Sequence, residues 1–162
     1  MAEVENRVFG GPLALAWSLA IGWTGVVLWA GSGLGSEAMT SRFIRPLLEW
    51  LLPRALPETL TSLHWGIRKG AHLAEYGLLA VLAARALAST RRLAARRLAL
   101  AALAWVAVVA SFDEARQAFT DTRSGSPGDI ALDVAGGMIG LAAAGGALRH
   151  PPGGSSKGGE VG

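Results

Sequence analysis

The chain has 162 residues, enough for one domain, with 51% apolar and 17% charged residues and a mean hydropathy of +0.38. That balance, with abundant Gly and Ala, suits helices packed in lipid better than a water-soluble core. Cysteine is absent, which excludes disulfides, a thiolate nucleophile and a cysteine-held metal; the net charge of +3 draws heavily on arginines clustered between apolar segments, a placement that speaks of membrane orientation rather than nucleic acid.

Residues 1–12 form an N-terminal segment without the cationic start of a signal peptide, so the first apolar run is expected to stay as a span. That run, Leu13–Ala30, carries no charge and is just long enough at roughly 20 residues per bilayer. Trp17 and Trp29 sit near its ends as interfacial anchors, and Trp23 is placed to pack between helices. GSGLGS, Gly31 to Ser36, then supplies loop chemistry. The next stretch is too short and too interrupted by Pro46, Pro53 and Pro57 to cross. Phe43, Ile44, Leu47, Leu48, Leu51 and Leu52 recur at helical spacing with Arg42, Arg45 and Glu49 elsewhere on the turn, which predicts a short interfacial helix.

A second span is expected from Leu63 to about Ala88, closed by Arg85, Arg91, Arg92, Arg96 and Arg97. By the positive-inside tendency this connection faces the cytoplasm, although a count of every Lys and Arg is nearly even between the two sides. A third span follows around Leu98–Ala110 and a fourth around Ile130–Leu148. In the last one Gly136, Gly137 and Gly140 allow close helix approach. The expected fold is all-α: an integral membrane bundle of four transmembrane helices over residues 13–149, both termini inside, with the interfacial helix between the first two spans. Residues 150–162 are Pro/Gly/Ser-rich and read as a disordered tail.

Depth singles out a site. At about 1.5 Å of rise per residue, Glu75 lies roughly 20 Å from Ala88, Asp113 roughly 22 Å from Leu98, and Asp133 roughly 22 Å from Leu148. Three helices therefore bring a carboxylate to one level inside the outer leaflet, where an acid is costly unless it faces partners or trapped water. Lys69, His72, Glu75 and Tyr76 share one face of the second span by their spacing of three and four. Asp113 and Gln117 are four apart, and so are Asp129 and Asp133. Against a site stands the simpler reading that buried polar groups only fasten helices together. His72 alone specifies neither a metal nor a base, and Lys69 and Arg123 would also suit snorkelling to headgroups. No nucleophile elbow or phosphate-binding glycine loop appears. Glu75, Asp113, Glu114, Asp129 and His72 are of the types that hold a hard divalent cation, but their spacing does not mark a metal site, so no metal is assigned and the cofactor is unknown.

RKGAHLAEYGLL, Arg68 to Leu79, resembles the lysine, histidine and tyrosine signature of VanZ-like membrane proteins. DEARQAFTDTRSGSPGDIALDVAGGMIG, Asp113 to Gly140, is similar to the second block of that family, with Glu114, Gln117, Phe119, Arg123, Asp129 and Gly136 at the matching positions. Asp133 departs from the family, which often has Asn there. The resemblance implies a bacterial, multi-pass cytoplasmic-membrane protein from a family linked to glycopeptide-antibiotic resistance, and it does not by itself assign resistance to this chain.

Two readings follow. In the first, a water-accessible pocket open to the outside, between the second, third and fourth spans, binds or processes an anionic or glycosylated envelope component, such as a lipid-linked precursor or a glycopeptide-like ligand. Lys69 and Arg123 then grip phosphate or carboxylate with Asp129 and Asp133 beside them, Gln117 and Tyr76 orient the ligand, and Glu75, Asp113, Glu114 and His72 are candidates for acid/base work. In the second, the protein is a non-enzymatic module whose polar belt only joins helices and whose arginine-rich loop contacts lipid or a partner.

Overall fold

The computed structural model describes residues 13–32, 37–90, 93–118 and 127–149, without the side chains of 37–40, 117 and 146–149. The N-terminal segment, the tail, Arg91, Arg92, Arg123 and part of the GSGLGS loop lie outside the described residues. Within them the chain is helical: α1 (Leu13–Ala30), α2 (Glu37–Leu51), α3 (Pro57–Thr90), α4 (Ala95–Ala118) and α5 (Pro127–Arg149). All but α2 are long and apolar enough to cross a membrane, and the protein is a multi-pass membrane protein.

α1 closes through bonds from Gly31 N to Val27 O (2.9 Å) and from Ser32 N to Trp29 O (3.0 Å). α2 is the expected interfacial helix. Phe43, Leu47, Trp50 and Leu51 are exposed on its outer side, Leu48 is buried, and the helix packs against α3. Pro46 does not interrupt it. The ring costs the bond that residue 46 would give to the carbonyl of Arg42, a local loss in a helix whose apolar side is offered to lipid. Pro57 also differs from its expected role as a breaker, because it is the first residue of α3. A proline there lacks only an N–H that the helix start leaves unpaired anyway. α3 therefore begins before Leu63 and reaches 34 residues, about 51 Å at 1.5 Å per residue, longer than the 40–45 Å of a bilayer with its headgroups. Pro127 plays the same part in α5, which starts three residues before Ile130.

The bundle is held along α3, whose largest interface is with α5, followed by α1 and α4. Small residues make the α3–α5 approach close. A Cβ on Gly136 would lie 2.6 Å from the Leu73 carbonyl oxygen, and a Cβ on Gly140 would run into the backbone of Gly77. Gly137 instead faces Leu103, Val106 and Ala80. Elsewhere the core is alanine-rich: Ala83, Ala84 and Ala102 at the end near the α3–α4 connection, Ala16, Ala20 and Ala86 between α1 and α3. Bulky apolar side chains such as Ile21, Val108 and Ile139 are exposed on the outside instead. Small inside and large outside is the arrangement expected where lipid, rather than water, surrounds the helices.

Tryptophans add polar joints to this packing. Trp23 Nε1 donates to the Glu75 carbonyl (3.0 Å), placing it between α1 and α3 as its position predicts. Trp17 Nε1 donates to Thr90 Oγ1 (2.8 Å) and its ring lies 6.0 Å from that of Trp105. Trp29 is 62% exposed.

Candidate ligand site

Four carboxylates, those of Glu75, Asp113, Glu114 and Asp133, lie within electrostatic range of the buried Tyr76 hydroxyl. None of the three carried by α4 and α5 points to lipid, since Asp113 is 2% exposed, Glu114 6% and Asp133 1%. The common depth read from helix rise thus corresponds to a common location inside the bundle. Around it, the polar residues separate into two sets according to the neighbour that α3 presents them to.

The first set joins α3 to α5. Lys69 Nζ is bonded to Asp129 Oδ1 and stands 5.5 Å from the centre of the Trp65 ring. One turn further along, His72 Nδ1 lies 3.2 Å from Asp133 Oδ1, and the His72 ring stacks against Tyr76 with centres 6.3 Å apart. The spacing of three on α3 meets the spacing of four on α5, so two adjacent rungs form between the helices. Both rungs lie just before the glycine contact of Gly136 with Leu73, where the helices are too close for a side chain. Lys69, expected to grip a ligand anion, is already matched by Asp129.

The second set lines a cavity of about 210 Å³ bounded by α1, α2, α3 and α4. Arg68, His72, Glu75 and Tyr76 come to it from α3, Asp113 from α4, Trp29, Ala30 and Gly31 from the end of α1, and Ile44 from α2. The expected pocket lay between the second, third and fourth spans. The cavity lies instead on the α1 side of α3, and the fourth span reaches it only through the Asp133–His72 pair. Asp113 is fixed there by Arg116, whose guanidinium donates to Asp113 Oδ1 (2.7 Å) and to the carbonyl of Leu28. Arg116 thereby satisfies one of the carbonyls that the C-terminal turn of α1 leaves without a helical partner, tying α4 to α1. Gly31 packs so tightly on the Asp113 carboxylate that any Cβ would overlap it.

Two polar groups at this cavity remain unmatched. Among the described residues the Glu75 carboxylate makes no hydrogen bond or ion pair, and the Tyr76 hydroxyl is buried with no partner. An orphaned buried hydroxyl costs on the order of 1–3 kcal/mol in a folded protein. That penalty falls where a bound polar group or water would relieve it.

Of the other expected residues, Glu114 is buried in α4 but does not line the cavity. Gln117 is in the last turn of α4 with its side chain outside the described residues, and Arg123 lies outside them altogether. Sequence reasoning missed Arg68 as a site residue and left Arg116, one of the cations available to these acids, without a role. Arg68 could have been found from its spacing, four residues before His72 and seven before Glu75; Arg116 lies three residues after Asp113, the other spacing at which helix side chains meet. No group of three or more His, Asp or Glu able to hold a metal ion occurs among the described residues.

The VanZ/LLP1 family profile matches residues 16–147, from within α1 to the last turns of α5, and covers both polar sets. Neither the curated proteins nor the solved structures yield a match. The four-span architecture, the two polar blocks on α3 and on α4–α5, and a match over most of its length establish that the chain belongs to the VanZ/LLP1 family.

Proposed function

We propose that this VanZ/LLP1-family membrane protein binds the polar headgroup of an envelope amphiphile, an anionic or glycosylated lipid or lipid-linked component, in the cavity between α1, α2, α3 and α4. The observation that carries this reading is the pair of groups without a partner among the described residues, the Glu75 carboxylate and the Tyr76 hydroxyl, on the wall of a cavity that also holds Arg68, His72 and Asp113 inside an apolar bundle. Polar groups in that setting are expensive and persist where they serve a ligand or pathway. Arg68, rather than Lys69, is the cation on the cavity wall suited to a phosphate. His72, held by Asp133 and facing the same space, is the side chain best situated to exchange a proton with a bound headgroup. The amphipathic α2 contributes Ile44 to the wall and offers its exposed apolar side to lipid, so the tails of the amphiphile can stay in the bilayer while its head enters.

In this reading the protein sits in a bacterial cytoplasmic membrane, with the cavity outward and the arginine-rich α3–α4 connection and both termini in the cytoplasm. The helix-joining alternative has its own support at Lys69–Asp129 and His72–Asp133, which are interhelical pairs. It applies to those four residues and leaves Glu75 and Tyr76 without a role.

A photo-reactive amino acid placed at Ala71, on the cavity wall, tests the proposal in living cells. It should capture a restricted set of envelope lipids or lipid-linked glycans, identified by mass spectrometry. The same group at Val108, which is 68% exposed on the lipid-facing surface, should capture bulk lipid in proportion to its abundance. Identical profiles at the two positions would sink the binding reading.

A further inference from the structure

We infer that the group seated against Glu75 is a cationic amine, so that the amphiphile recognised by the cavity carries an ammonium on its headgroup. The inference rests on reading the cavity as a headgroup site and adds the chemical class of the ligand. Four features of the cavity wall agree. Glu75 offers a carboxylate with no hydrogen-bond or ion-pair partner among the described residues, whereas Asp113 opposite it is already held by Arg116. The buried Tyr76 hydroxyl beside it has no partner among the described residues and can accept from an N–H donor. Ala30 and Gly31 bring the C-terminal end of α1 to the same space, and a helix C-terminus carries the negative end of the helix dipole. Trp29 and Tyr76 contribute aromatic rings, whose faces attract cations.

Arg68 complements this arrangement. It stands seven residues before Glu75 on α3, two turns nearer the helix N-terminus and on the same side, about 10.5 Å along the axis. A headgroup with phosphate toward Arg68 and ammonium toward Glu75 would match charge at both ends. A purely anionic headgroup would instead bring its charge against Glu75 and Asp113. The expectation of an anionic ligand rested on Lys69 and Arg123 as the cations; Lys69 is matched by Asp129 on the α5 side and does not line the cavity.

The test uses the full chain purified in detergent and titrated by calorimetry with short-chain phosphatidylethanolamine, its N-acetylated counterpart, short-chain phosphatidylglycerol and soluble phosphoethanolamine. The amine lipid should bind roughly tenfold or more tightly than its N-acetylated form, the scale of one charge-assisted hydrogen bond. Glu75→Gln, an isosteric change at a side chain that ties no helices, should erase that ratio. Binding of phosphoethanolamine with the same dependence on Glu75 would mark a soluble amine as the source, and dependence on the acyl chains would mark a lipid. Equal affinity for the amine and N-acetylated lipids in the unsubstituted protein, or a ratio that survives Glu75→Gln, overturns the inference. If phosphatidylglycerol binds equally well, only the amine class is lost. If none of the four binds, the headgroup reading of the cavity falls with it.

Discussion

Gly136→Ala probes the contact on which the polar ladder depends. The added Cβ would lie 2.6 Å from the Leu73 carbonyl oxygen, 2.9 Å from its Cα and 3.1 Å from its carbonyl carbon, all backbone atoms that no rotamer change can move. Reaching an ordinary 3.4 Å contact with that oxygen requires α3 and α5 to separate by roughly 0.8 Å. Overpacking of this kind costs about 1–3 kcal/mol. The same separation stretches the Lys69–Asp129 and His72–Asp133 rungs, each worth about 0.6 kcal/mol between membrane helices, so a total loss of about 2–4 kcal/mol is expected. Equilibrium unfolding of the purified protein in mixed detergent micelles measures it. Gly22→Ala is the control: an added Cβ there meets nothing within 4 Å, and a helical glycine replaced by alanine in open space should gain about 0.5–1 kcal/mol. Equal stability of the two variants would refute the close-approach argument and the coupling of the ladder to it.

Other outcomes follow from the same geometry. A double-mutant cycle on Lys69→Met and Asp129→Asn should return a coupling of about 0.6–1.7 kcal/mol in unfolding free energy; a coupling near zero would show that the pair does not join α3 to α5. Tyr76→Phe removes a buried hydroxyl that has no partner among the described residues, so the ligand-free protein should be as stable as before or more so while headgroup affinity falls. A clear loss of stability without ligand would mean that the hydroxyl has a structural partner. Because the chain has no cysteine, single-cysteine labelling needs no background substitutions: a cysteine at Glu49 should react with an impermeant maleimide from outside intact cells, and one at Arg97 only after permeabilisation. The opposite pattern would invert the proposed orientation.

The polar residues of α3 show how far helical spacing carries and where it stops. Lys69, His72, Glu75 and Tyr76 do share a broad face, as their intervals of three and four require. Successive residues nonetheless turn by about 100°, so that face is wide enough to meet two different neighbours. Arg68 and Glu75 look toward α1 and line the cavity; Lys69 looks toward α5 and meets Asp129; His72 lies between, touching both. No interval in the sequence distinguishes a helix face that meets a ligand cavity from one that meets another helix.

What the sequence by itself determined is set by physics local to one segment: apolar length dictates four crossings, an apolar stripe cut by prolines dictates an interfacial helix, and a rise of 1.5 Å per residue puts Glu75, Asp113 and Asp133 at one height. Which helices face each other was left to the tertiary structure, because lateral packing depends on backbone approach between distant segments. Gly77 against Gly136 and Gly140 draws α5 onto one side of α3, and with it Asp129 and Asp133 onto Lys69 and His72. The side of α3 left for α1 and α2 then holds Glu75, Arg68 and the unmatched Tyr76 hydroxyl around an open cavity. A carboxylate's depth is a property of its own helix, whereas its partner is a property of the bundle.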